Sequence, residues 1–165
     1  MNPNKSVIAG KLLSLFLLSF MAVLVVSCGR RYLYDDIHSL PGESWTIEQK
    51  ERFDFEVTDT TITYRVFFHV RNTIDYRYSN LYLFMTTQFP NGNLTRDTLE
   101  CILAQPDGQW TGKGFGKIKE NLILLNPALK FPLLGHYVVD IQHAMREDDL
   151  KGISDIGIRI EPNQQ

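Results

Sequence analysis

The sequence has 165 residues, with 17 basic against 19 acidic side chains and a formal charge of −2. There is no basic excess to suggest a nucleic-acid partner, and none is expected. The length suits one domain with a sizeable core.

The first residues read as a delivery signal. Lys5 and Lys11 form a positive n-region, and residues 12–26 are apolar apart from Ser14 and Ser19. That run fits a signal-peptide h-region and is short of the roughly 20 residues a spanning helix needs. It ends in Val25-Val26-Ser27-Cys28, which resembles the lipobox of bacterial lipoproteins. There the Cys thiol is acylated, the chain is cut before it and the new N-terminus is acylated too. The resemblance implies a signal peptide at residues 1–27 and a lipid on Cys28 that ties the protein to a membrane, since two or more acyl chains hold firmly. Lys5 and Lys11 leave with the signal, so 15 basic face 19 acidic residues and the mature charge is near −4. With Cys28 lipidated, Cys101 stands alone and no intrachain disulfide is available.

Residues 28–52 are expected as a lead-in that joins the fold. Residues 32–37 suit an edge strand, Pro41-Gly42-Glu43-Ser44 a turn, and Trp45 packs under the domain. From residue 53 the period is two. Phe53, Phe55 and Val57 alternate with Arg52, Asp54 and Glu56, as on a half-buried strand. Ile62, Tyr64, Val66, Phe68 and Val70 predict a second strand, and residues 78–89 a third. Pro90-Asn91-Gly92-Asn93 is a hairpin turn. It leads into a fourth strand over residues 94–104, with Leu99, Cys101 and Leu103 on one face. Residues 108–116 carry four glycines and read as a loop or bulged strand. Residues 122–125 are a short apolar run, and Pro127 and Pro132 confine the residues after it to edges and turns. Gly135-His136-Tyr137 opens another strand and weakly resembles a tyrosine corner. Residues 144–150 predict a helical turn ended by Gly152, and Ile156, Ile158 and Ile160 a closing strand. Seven to nine short strands predict an all-β chain, a single β-sandwich with Ig-like or jelly-roll-like connections over residues 53–165.

Taken together, the chain resembles the gliding motility-associated lipoprotein GldH family. The carriers are the lipobox, Tyr76-Arg77-Tyr78-Ser79-Asn80-Leu81, Pro90-Asn91-Gly92 and Asp97-Thr98. Gly108-Gln109-Trp110-Thr111-Gly112, Gly135-His136-Tyr137, Met145-Arg146 and residues 152–160 continue the match. The resemblance implies a small lipoprotein of the cell envelope, associated with gliding and linked protein-secretion machinery. It supplies no catalytic residue, and only Cys28 carries a definite role.

The residues themselves point away from catalysis. No nucleophile elbow, zinc-protease helix or phosphate loop is present, and no cofactor is expected. His136 and His143 are seven apart, on opposite faces of one strand, so they cannot share a metal; no metal site is expected and the histidines read as surface residues. Asp54 and Glu56 stand about 7 Å apart along a strand, within the range of an inverting glycosidase, but they read as the wet face of that strand. Cys101 reads as a buried, inert thiol. Two functions from different classes remain. The first is a non-catalytic scaffold or partner-binding component, periplasm-facing rather than on the cell surface, whose partners are the membrane and other envelope proteins. Its candidate docking residues are Phe67, Tyr78, Tyr82 and Phe84, rimmed by Arg65, His69 and Asn80. They make one patch if the second and third strands are neighbours and neither the lead-in nor residues 121–134 cover that face. The alternative is a glycan-binding lipoprotein stacking sugars on Trp45, Tyr76 and Trp110.

Overall fold

A computed structural model describes residues 32–163. The expected signal peptide and Cys28 lie outside the described residues.

The alternation seen in the sequence becomes two packed sheets. In chain order the strands are β1 (Tyr34–Ser39), β2 (Ser44–Thr46), β3 (Glu51–Val57), β4 (Tyr64–Thr73) and β5 (Asn80–Gln88). They continue with β6 (Leu94–Ile102), β7 (Ile118–Leu129), β8 (Gly135–His143), β9 (Asp149–Lys151) and β10 (Ile153–Pro162). One antiparallel sheet has the order β1-β10-β4-β7, the other β3-β8-β5-β6, and β2 pairs with β9 in a short ribbon. With the ribbon set aside, eight strands numbered along the chain give orders 1-8-3-6 and 2-7-4-5. This is a jelly roll, which decides between the two expected connections.

Inward positions of the two sheets fill the core. Phe53, Phe55 and Val57 are buried between exposed Arg52, Asp54 and Glu56, and Phe68, Val70, Leu81, Leu83, Ile156, Ile158 and Ile160 meet them from other strands. The lead-in joins through β1, which pairs with β10 from Tyr34 opposite Ile160 to Ser39 opposite Asp155. The expected hairpin forms at Gly92, whose φ is +83° and whose N–H donates to Phe89 O at 2.8 Å. The Tyr137 hydroxyl donates to Leu133 O at 3.0 Å and accepts from Leu133 N–H at 3.2 Å. That is the tyrosine-corner bond, made here in a jelly roll.

Three expectations are corrected. Ile62 lies before β4 and is exposed rather than core. Residues 144–150 form no helical turn: Ala144 N–H donates to Tyr82 O, and Leu150 is drawn into the core opposite Trp45. The third concerns the neighbours of β4. β4 and β5 are consecutive in the chain but belong to opposite sheets. The chain crosses between sheets at Tyr76, which is buried and donates its hydroxyl to Asn80 O. Gly152 (φ +89°) makes room there, since a Cβ would sit 2.8 Å from Tyr76 Cα.

Candidate interaction surface

The crossing between sheets divides the expected docking patch. Phe67 is on the outer face of the β1-β10-β4-β7 sheet, whereas Tyr82 and Phe84 are on the outer face of the other sheet, so the four residues share no surface. Tyr82 is 38% exposed and stands opposite Glu100, which raises the pKa of its phenol by a hydrogen bond. Phe84 is half-buried, with the Arg96 guanidinium 4.1 Å from its ring centre. Tyr78 is half-buried and donates its hydroxyl to Glu147 at 2.6 Å.

Phe67 instead finds neighbours on β7. In the β4–β7 ladder Phe67 stands opposite Leu124 and His69 opposite Leu122. Leu122 is 44% and Leu124 47% exposed. Phe67, Leu122 and Leu124 therefore form an apolar strip on one outer face. Around it lie ion pairs: Arg65 with Glu161, Arg71 with Glu120 at 3.3 Å, and Arg159 with Asp35 at 3.1 Å. The Arg65 guanidinium is 5.6 Å from the Phe67 ring centre, and Arg159 stacks on Tyr32 at 4.9 Å.

His69 is the floor of this face and corrects the expectation of surface histidines. It is 4% exposed, with Nε2 2.6 Å from Glu120 Oε1. Burial lowers its pKa more than the Glu120 carboxylate raises it, so the ring is neutral at pH 7. Glu120 is held below its usual value: partial burial raises it, but bonding from His69 and Arg71 outweighs that. His143 is also buried, against Trp45. A cavity of about 460 Å³ runs beside β7, lined by His69, Ile102, Lys113, Glu120 and Leu122 among others. Among the described residues no group of three His, Cys, Asp or Glu side chains is placed to hold a metal.

The rings expected to stack on sugars are mostly internal. Trp45 is fully buried and donates its indole N–H to Gln49 O at 3.0 Å, Tyr76 is 4% exposed, and Trp110 is half-buried against the core. Trp45 and Tyr76 thus have no open face for a sugar. Asp54 and Glu56 are exposed and stand near His136, at 3.3 and 3.9 Å. Cys101 is buried, which pushes its thiol up to about 12.

Sequence reasoning missed Leu122, Leu124 and Ile102. The run Leu122-Ile123-Leu124-Leu125 held the signal. On a strand, four consecutive apolar residues face both sides, so two must either be covered or stand exposed.

A description of the GldH lipoprotein family matches residues 32–160. The chain is 38% identical over 155 residues to a gliding motility lipoprotein GldH homolog of Christiangramia forsetii, covering 90% of this chain and 94% of the relative. It is 36% identical over 152 residues to the gliding motility lipoprotein GldH of Flavobacterium johnsoniae, covering 88% and 94%. Among solved structures, a carbohydrate-binding module specific for non-crystalline cellulose is similar at a TM-score of 0.44 and 12% identity, covering 79% of this chain and 80% of that one. The dimeric latent PorU of Porphyromonas gingivalis is similar at 0.34 and 13%, covering 84% and 14%. Likenesses this distant say nothing of a ligand.

Proposed function

The chain belongs to the GldH lipoprotein family, and from that premise we propose that it is a non-catalytic, lipid-anchored partner-binding component of a gliding motility and secretion-associated envelope machinery. In this reading the signal peptide is residues 1–27, Cys28 carries the lipid, and residues 28–52 are a lead-in that joins the jelly roll through β1. The domain faces the periplasm and its partners are other envelope proteins. The observation that carries the reading is the apolar strip of Phe67, Leu122 and Leu124. A contiguous apolar patch rimmed by charge, on a fold whose core is already filled, is the usual mark of an interaction site.

The glycan-binding alternative loses two of its three carriers with the burial of Trp45 and Tyr76. The test is a double variant, Leu122→Asn with Leu124→Asn, as the sole copy in cells. Both side chains are about half exposed, so stability should shift by no more than about 1 kcal/mol. Crosslinked complexes formed by the unaltered protein should fall roughly tenfold, as expected for loss of an interface anchor. Undiminished complexes with a folded variant would refute this surface.

A further inference from the structure

We propose that the open edge of β7, from Leu122 to Leu124, takes up an extended segment of another protein as an added β-strand. This rests on the partner-binding reading and specifies the kind of partner. Lys113 and Glu120 exchange both backbone hydrogen bonds, each 2.8 Å, across the edge of β7 that faces away from β4. In a strand the N–H and C=O of one residue point to the same edge, and the edge alternates from residue to residue. Asn121 and Ile123 therefore serve the ladder to β4, and Leu122 and Leu124 turn their amide groups outward like Glu120. Beyond Lys113 no described segment pairs with that edge.

The cavity of about 460 Å³ lies beside Glu120 to Ile123, at the start of this stretch, with Ile102, Thr111 and Lys113 on its far side. Ile102 is 53% exposed. The site thus offers an alternating row of free donors and acceptors flanked by Leu122 on one side and Ile102, Thr111 and Lys113 on the other. A polypeptide backbone supplies the matching row at the strand repeat, and its alternate side chains would fall on Leu122 and Leu124. An acyl chain has no such groups, and a saccharide does not repeat them at that spacing. The other edges of the two four-stranded sheets are guarded by charge: Asp35 and Asp36 on β1, Arg52, Asp54 and Glu56 on β3, and Arg96, Asp97 and Glu100 on β6. Charged side chains blunt an edge against strand addition. β7 carries them only at its start, in Lys119 and Glu120. Pro127 and the ladder irregularities beyond Leu124 bound the site at the other end, so the incoming segment is about five or six residues long by the strand rise.

The test uses full-length protein in cells, with the photocrosslinking residue p-benzoylphenylalanine in place of Leu124 and, separately, at several surface positions on both sheets. The linked peptide is mapped and resynthesised. Its affinity for the purified lipidated protein in detergent is then measured, with and without N-methylation of alternate amides. The expected result is a crosslink from position 124 to a short segment of another protein. Methylating one set of alternate amides should weaken binding at least tenfold, while methylating the other set should leave it within about twofold. The Leu122→Pro variant, which removes an outward N–H and spares the β4 ladder, should weaken it likewise. A crosslinked peptide indifferent to methylation on both sets overturns strand addition while partner binding stands. A crosslink to a second copy of this chain overturns the choice of occupant. Crosslinks only from other positions overturn the site, and no crosslink from any position overturns the partner-binding function itself.

Discussion

At the scale of single residues, the two buried histidines give the fold a pH dependence of known sign. Burial is the leading cause that lowers the pKa of both His69 and His143. In the unfolded chain each returns to an ordinary value near 6.5. Below that pH the unfolded chain takes up protons that the native state refuses, so stability falls as pH drops through the lowered native value and is full above about 6.5. Urea midpoints should therefore hold between pH 8 and 7 and decline from pH 6.5 to 5. His143→Gln should remove part of that decline, and a midpoint that rises on acidification would contradict the assignment. Trp45 makes a second residue-scale case. Being fully buried, it should cost about 3–5 kcal/mol on replacement by Ala, as chemical denaturation would read. A cost below 1 kcal/mol would mean that its ring is not where the core needs it.

At the scale of elements, the crossing between sheets turns on Gly152. Its φ of +89° and the 2.8 Å that would separate an added Cβ from Tyr76 Cα both forbid a side chain. Gly152→Ala should cost roughly 2 kcal/mol or more, since strained backbone positions carry 1–3 kcal/mol each, and thermal unfolding would show it; an unchanged midpoint would argue against the crossing. The same crossing explains what the sequence left hidden. Strands β3, β4, β5, β8 and β10 are legible because alternate residues of each enter the core, which writes a period of two into the residues. Sheet membership is not legible. Nothing local to Phe67 or Phe84 reports that the turn between β4 and β5 carries the chain to the opposite sheet, so the residues alone suggest an apolar patch where none exists. β7 is half-legible for a different reason. It is an edge strand carrying Pro127, with exposed Leu122 and Leu124, so its pattern does not alternate and only four of its residues stand out. Trp45 and Tyr76 mislead because aromatic rings near loops look alike whether they cover a core or await a ligand.

At the scale of the whole molecule, the described residues form a filled jelly roll with an apolar strip on β4 and β7, and the partner-binding role proposed for it depends on where the domain is held. Only four peptide steps separate Cys28 from Tyr32, where the described domain begins. Fully extended they span about 14 Å at most, so a lipid on Cys28 would hold the domain close to its membrane. The Lys5 and Lys11 n-region, the apolar run and the Ser27-Cys28 ending motivate that lipid. Cells fed an alkyne fatty acid should label the unaltered protein, and Cys28→Ala should carry no label. The intact mass of the mature protein should equal the chain from Cys28 plus the attached lipid, its glyceryl carbons included. Because the described residues make both sheets of the sandwich, with β1 pairing from Tyr34 onward, the fragment of residues 32–163 should fold alone and give a circular dichroism spectrum dominated by strand. Label retained on Cys28→Ala would mean that the anchor lies elsewhere in the chain. A fragment that stays unfolded would mean that the leading residues belong to the fold and not merely to its attachment.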